Sequence, residues 1–312
     1  MSGGVRQDVL QLIGNTRMVA LRTVRPANGA RVLLKLENEN PTGSMKDRMA
    51  LAMIEAAEKD GRLRPGGAVV EYTGGSTGVS LSLVCAAKGF PLYIVGSDAF
   101  AREKADHMRF LGARLTMVAS DDGRITEKLV REMIATARRL TAETNGFWTD
   151  QLNNEDDLEA YHAMADEIWR DTGGRVDAFV HSVGTGASLR GTAEGLRARK
   201  AEVRVVAVEP AESPVLSGGK SGAHKIDGIG LGFVPPLWHA GIADAIERVS
   251  TAEAMAMALR LAREEALFGG TSTGGNVVAA LRVAEQLGPD ATVVTVMADT
   301  GMKYLHGYGA AL

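Results

Sequence analysis

A single cysteine, Cys85, stands in the chain of 312 residues, so no disulfide can close within it. Its neighbours Leu81-Ser82-Leu83-Val84 and Ala86-Ala87 are mostly apolar and offer nothing to hold a thiolate, which suits a buried thiol rather than a nucleophile. With no cysteine pair, and with His107, His162, His181, His224, His239 and His306 at no metal-ligand spacing, no metal centre is expected. A basic excess is missing as well: the net charge is -3, which excludes an overall field for nucleic acid or an anionic membrane. The densest basic cluster, Arg197, Arg199 and Lys200, falls at the end of a predicted helix, where solvent and the helix dipole account for it. No apolar run approaches the roughly 20 residues of a membrane span, and Met1–Asp8 hold no apolar signal core. These absences make a soluble, cytoplasmic protein without a nucleic-acid or membrane partner the expectation.

What is present is an α/β pattern. The length suits two lobes, and an apolar content of 45% allows a sizeable core. Short β-branched runs predict strands at 31–36, 68–72, 91–95, 114–118, 176–181, 203–208 and 292–297. Helical patterns lie between them at 46–59, 78–88, 103–111, 158–170, 187–197, 251–265 and 275–287. This alternation predicts open parallel sheets with helices on both faces. A boundary shows near Asn145-Gly146-Phe147-Trp148. Ligands of such sheets bind at the carboxyl ends of the strands, and four polar, glycine-bearing loops, 41–44, 73–77, 184–188 and 271–274, are expected there around one shared cleft.

Each loop taken alone leaves alternatives open. Gly184-Thr185-Gly186-Ala187-Ser188 opens a helix; its N–H groups and the hydroxyls of Thr185 and Ser188 suit a phosphate, but an ordinary glycine-rich turn looks the same. With Glu209 it also imitates a dinucleotide fingerprint, which fails because Leu189 stands where the third glycine belongs. Lys46 follows the turn Asn40-Pro41-Thr42-Gly43-Ser44-Met45 at a predicted helix start; it is either surface charge or an amine desolvated enough to form a Schiff base. Thr73-Gly74-Gly75-Ser76-Thr77-Gly78 suits a substrate carboxylate or is a capped turn. In Thr271-Ser272-Thr273-Gly274-Gly275-Asn276, Ser272 is an N-cap or a hydroxyl for a pyridine nitrogen. A neutral partner there would weaken the electron sink and favour chemistry at a β-carbon over transamination.

In their order these motifs resemble the cysteine synthase branch of the fold-type II pyridoxal-phosphate enzymes, which includes cystathionine β-synthase. The likeness runs from Ile13-Gly14-Asn15-Thr16 to about Leu305. Asn40–Arg48 resembles N-P-x-x-S-x-K-D-R, Gly184–Ser188 resembles G-T-G-G-T, His224–Gly230 resembles H-K-I-x-G-I-G, and Asp299–Leu305 resembles the closing strand-end motif. The resemblance implies a tryptophan synthase β-like fold with a smaller mobile lobe, 39–146, and a larger cofactor-binding lobe, 1–38 plus 147–312. It implies pyridoxal 5′-phosphate on Lys46, its phosphate at Gly184, Thr185, Gly186, Ala187 and Ser188, its pyridine nitrogen at Ser272 and its ring oxygen near Ser76. Thr73, Gly74, Thr77, Gln151 and Gly228 fall to the substrate. The usual T-S-G-N-T-G loop is changed: Gly74 and Ser76 replace its serine and asparagine. Arg17 stands for a usual proline and Asp227 for a common glutamine.

The activity so implied begins when an amino acid displaces Lys46, which then takes the α-proton. A β-substituent leaves (acetate from O-acetyl-L-serine), sulfide adds, and L-cysteine results. Other outcomes on the same residues are elimination to pyruvate and ammonia, as in a cysteine desulfhydrase or a serine/threonine dehydratase, and replacement by another nucleophile such as homocysteine or an amine. A non-catalytic binding relative is the reading from a different class. The expected partners are a second copy of the chain, as a homodimer, and a serine acetyltransferase.

Overall fold

The computed structural model describes residues 4–123 and 126–309. In chain order its strands are β1 (Met18–Ala20), β2 (Arg31–Leu36), β3 (Val69–Tyr72), β4 (Leu92–Ser97), β5 (Arg114–Val118), β6 (Phe147–Trp148), β7 (Ala178–Ser182), β8 (Arg204–Pro210), β9 (Ala245–Val249) and β10 (Thr292–Met297). Its α-helices are α1 (Lys46–Asp60), α2 (Ser76–Lys88), α3 (Arg102–Phe110), α4 (Glu127–Thr144), α5 (Leu158–Thr172), α6 (Ala187–Arg197), α7 (Thr251–Glu264), α8 (Thr271–Leu287) and α9 (Leu305–Gly309).

Contacts divide the chain into two compact units. The first comprises Met1–Gly14 and Asn40–Asp157 and holds a four-stranded parallel sheet in the order β5-β4-β3-β6. All four residues of β3 are buried, as a strand covered on both faces requires. Against it α4 lays Leu129, Met133 and Ala137, spaced at helical intervals, onto Val70, Tyr72 and Val95. Val130, Ile134 and Leu140 pack at its margin; fully burying a side chain of this kind contributes on the order of 1.5–3 kcal/mol, enough for this stripe to order the helix.

The second unit, Asn15–Glu39 and Leu158–Leu312, holds six strands in the order β1-β2-β10-β7-β8-β9. Five run parallel; β1 pairs antiparallel with β2, with Met18 opposite Lys35. Two elements end on clear signals. Ser250 and Glu253 form a reciprocal capping box at the start of α7. In the first unit, Gly61 closes α1 at φ +83°, a left-handed turn that suits glycine.

The expected fold class holds in both units, with corrections. The larger sheet is mixed rather than wholly parallel, because the short hairpin partner β1 caps its edge. The sequence reading lacks β1, β6, β9, α4 and α9. Helices α2 and α8 begin at Ser76 and Thr271, ahead of the expected Gly78 and Gly275, so two of the four loops end inside a first helical turn. The division falls after Asp157 rather than after 146, since β6 and the turn behind it are hydrogen-bonded to β3. Residues Met1–Gly14 group with the smaller unit, where Gly14 N–H donates to Asn40 Oδ1 at 2.8 Å.

Candidate functional site

The functional side chains fall into two sets, one in each unit. In the first unit, Lys46 is the first residue of α1 and is half-buried. The turn before it is built from buried polar groups. Asp47 accepts from Thr42 N–H at 2.8 Å and from Thr42 Oγ1 at 2.5 Å, Gly43 N–H donates to Asn40 O at 2.7 Å, and Lys46 N–H donates to Ser44 Oγ at 3.3 Å. These bonds fix where the lysine leaves the backbone.

Thr73, Gly74, Ser76 and Thr77 occupy the junction from β3 to α2. Gly75 precedes the helix and supplies no side-chain cap, which leaves first-turn N–H groups for a ligand. Thr77 Oγ1 donates to Gln151 Oε1 at 2.7 Å, and Gln151 Nε2 donates to Tyr72 O at 3.0 Å. The structure thus brings Gln151 to this loop from 74 residues away.

Behind the pair stands Glu71, fully buried in the middle of β3. Its carboxyl accepts from Thr149 Oγ1 (2.6 Å), Gln151 N–H (3.0 Å), Tyr72 N–H (2.8 Å) and Trp148 Nε1–H (3.4 Å). Burial pushes its pKa up to about 7, and these hydrogen bonds oppose the rise. Sequence reasoning took β3 for an apolar run and missed this residue, although a lone carboxyl within Val69-Val70-Glu71-Tyr72 was a visible anomaly.

The glycine at 74 has a steric reason. A Cβ built there would lie 2.7 Å from Phe100 Cε1 and 3.0 Å from Phe100 Cδ1, closer than real side chains approach. At Gly75, which sits at φ +146°, a Cβ would meet the stem of the buried Lys104, 2.2 Å from Cδ. Phe100 and Lys104 therefore cover the loop, and nothing local in the sequence points to either.

In the second unit, Gly184, Thr185 and Gly186 follow β7, and Ala187 and Ser188 open α6. Gly186 adopts φ +98° and offers no side-chain cap. A Cβ at Gly184 would sit 2.5 Å from Gly228 O, and one at Gly186 would sit 3.1 Å from Trp238 N. The first approach excludes a larger residue and places Gly228 against the loop; at Gly186 the contact is tight and the left-handed backbone favours glycine. Gly230 N–H donates to Val183 O at 3.2 Å, and Asp227 N–H donates to Thr271 Oγ1 at 3.1 Å. The 224–230 segment consequently touches both the 184–188 loop and the first turn of α8, where Ser272 lies. Ser272 is 4% exposed, and among the described residues its hydroxyl has no hydrogen-bond partner.

Two further polar residues back the loop. His181 Nε2 lies 2.9 Å from Ser188 Oγ, and His181 Nδ1 lies 3.3 Å from Asn276 Nδ2. Cys85 is buried, and burial, followed by the charge of Glu58, pushes its thiol up to about 12. Among the described residues no group of three or more His, Cys, Asp or Glu is arranged to hold a metal ion.

A model of the family described as pyridoxal-phosphate dependent enzyme matches residues 9–299. A cysteine synthase of Staphylococcus aureus is 38% identical over 300 residues, 96% of this chain and 95% of that protein. The crystal structure of a cysteine synthase from Entamoeba histolytica superposes with a TM-score of 0.93 at 33% identity, covering 100% of this chain and 93% of that one. That of an O-ureido-L-serine synthase reaches a TM-score of 0.91 at 33% identity, covering 97% and 94%.

Proposed function

The chain belongs to the pyridoxal-phosphate dependent enzymes, and from that premise we propose that it catalyses β-replacement on an O-activated L-serine: O-acetyl-L-serine and sulfide give L-cysteine and acetate. The cofactor is pyridoxal 5′-phosphate. The carrying observation is the Thr77–Gln151 pair at the end of β3, in the same unit as a half-buried Lys46 that opens α1. The cysteine synthase relative, similar along almost its whole length, supports the choice of reaction.

The residues present fit the cofactor. Lys46 would hold it covalently through Nζ. The cradle at Gly184–Ser188, where no Cβ fits at Gly184 and Gly186 is left-handed, would take the phosphate on backbone N–H groups and on the hydroxyls of Thr185 and Ser188. Ser272, an uncharged hydroxyl without a protein partner among the described residues, would face the ring nitrogen, and Ser76 the ring oxygen. When bound, the cofactor supplies an electron sink for the pair left at the α-carbon.

The chain's own residues do the rest. The Thr73 hydroxyl and the N–H groups of Gly74 and Thr77 would meet the substrate carboxylate, with Gln151 held ready by the Thr77 hydroxyl and Tyr72 O, while Gly228, packed against Gly184, would border the substrate. Displaced from its bond, Lys46 Nζ takes the α-proton as general base. The β-carbon–oxygen bond then breaks and acetate leaves; hydrosulfide forms the carbon–sulfur bond, and Lys46 returns the proton to the α-carbon.

The decisive assay supplies O-acetyl-L-serine with and without sulfide. Cysteine formed only with sulfide supports the reading, whereas pyruvate in either arm at comparable rates replaces it with elimination. Lys46→Ala should remove covalently held cofactor and lower kcat by about a thousandfold or more, as loss of a covalent and general-base group does. A chromophore still covalently attached to that variant would sink the assignment. The same reading includes a cytoplasmic homodimer and a serine acetyltransferase partner, which rest on the family resemblance and are tested by light scattering and co-purification. Among the described residues no helix is long and apolar enough to cross a membrane.

A further inference from the structure

His181 and Asn276 have no part in the reaction as derived, yet both are buried, at 1% and 0% exposure, directly behind the phosphate cradle. Two backbone groups decide how the Asn276 amide is turned. Its Oδ1 accepts from Ser182 N–H at 2.8 Å, and its Nδ2 donates to Val296 O at 2.8 Å. Reversing the amide would set donor against donor and acceptor against acceptor, so the orientation is fixed. The second hydrogen of Nδ2 then faces His181 Nδ1 at 3.3 Å. An amide nitrogen of this kind accepts nothing, so Nδ1 must be the acceptor. A neutral imidazole that accepts at Nδ1 carries its hydrogen on Nε2. Nε2 lies 2.9 Å from Ser188 Oγ, which therefore accepts, and its own hydrogen is directed elsewhere. Among the described residues Ser188 Oγ has no second hydrogen bond.

We infer that His181 is a positioning residue: held by Asn276 as the neutral Nε2–H tautomer, it makes the Ser188 hydroxyl a hydrogen-bond donor to the cofactor phosphate. Polarity runs one way along the chain from Asn276 through His181 to Ser188, and each donor strengthens the next. The inference rests on the reading of Gly184–Ser188 as the phosphate site, but the tautomer does not.

Selective 15N labelling of histidine in the full-length protein, with cofactor bound and removed, reads the tautomer directly, and the spectrum of His181→Gln assigns the signal. His181 should be neutral with its hydrogen on Nε2 in both states. A hydrogen on Nδ1, or on both nitrogens, overturns the proposal without any variant having to fold. Asn276→Asp replaces the donor by an acceptor and should move the hydrogen to Nδ1, reversing the bond to Ser188. Affinity for pyridoxal 5′-phosphate, measured by equilibrium dialysis on the stripped protein, should then fall about tenfold or more, the usual effect of losing one hydrogen bond to a charged acceptor. Ser188→Ala should fall as far, Ser188→Thr should keep the affinity, and Asn276→Asp combined with Ser188→Ala should be no worse than Ser188→Ala. An inverted tautomer with unchanged affinity overturns the relay. Unchanged affinity in Ser188→Ala, with the tautomer as expected, overturns the phosphate reading of the loop itself.

Discussion

The two units brace their ligand loops with buried polar side chains of opposite character. In the first, one ionisable carboxyl, Glu71, gathers four donors and ties β3 to the turn that carries Gln151. In the second, an uncharged sequence of amide, imidazole and hydroxyl runs from Asn276 to Ser188. A buried carboxyl concentrates its consequences on one atom pair and on its own protonation; an amide–imidazole–hydroxyl line spreads them over several contacts. Stability should therefore respond to pH through Glu71 in the first unit.

The largest test of this contrast is truncation of each hub. Glu71→Ala strands the donors of Thr149, Gln151, Tyr72 and Trp148, and urea unfolding should show a loss of roughly 3–5 kcal/mol, near the top of the single-mutation range. Asn276→Ala strands Ser182 N–H and Val296 O and should cost about 1–3 kcal/mol. Equal losses would erase the distinction.

A smaller effect lies in pH. Burial raises Glu71 from its ordinary 4.5 to about 7, so the folded chain holds that proton more tightly than the unfolded one. Its contribution to stability is complete below 4.5 and is lost as pH rises through 7, by on the order of 1–3 kcal/mol. The stability difference between the natural chain and Glu71→Gln should shrink accordingly between pH 5 and 8, with KM for O-acetyl-L-serine changing over the same window and kcat holding. A flat difference across that range would remove the charge from the account.

The smallest effect concerns the covering of the first unit's loop. Gly74→Ser should cost about 1–2 kcal/mol through overpacking against Phe100 and raise KM. Adding Phe100→Ala should return most of both. If the serine is tolerated beside Phe100 without loss, the ring does not shape the loop.

Much of this was legible beforehand because it is local. Strands β2, β5 and β10 and helix α6 have the bounds that apolar runs and glycine turns indicate, and Lys46 begins α1 where its turn places it. What escaped is long-range or weakly patterned. The two residues of β6 carry no periodicity, and β1 is recognisable only beside β2. The stripe of α4 is thin within a charged stretch. Glu71 meets Gln151 80 residues later, and His181 meets Asn276 95 residues later; neither partnership leaves a local trace. The glycines of the 184–188 loop were visible locally, since a backbone that approaches Gly228 O this closely has to be written in glycine.

The Phe100 ring over Gly74 has a consequence for how such a chain can change over generations. A Cβ at position 74 meets the ring at 2.7 Å, so a serine there calls for the ring to shift or to shrink. The two positions are thereby coupled: what residue 100 is decides how readily position 74 accepts a side chain.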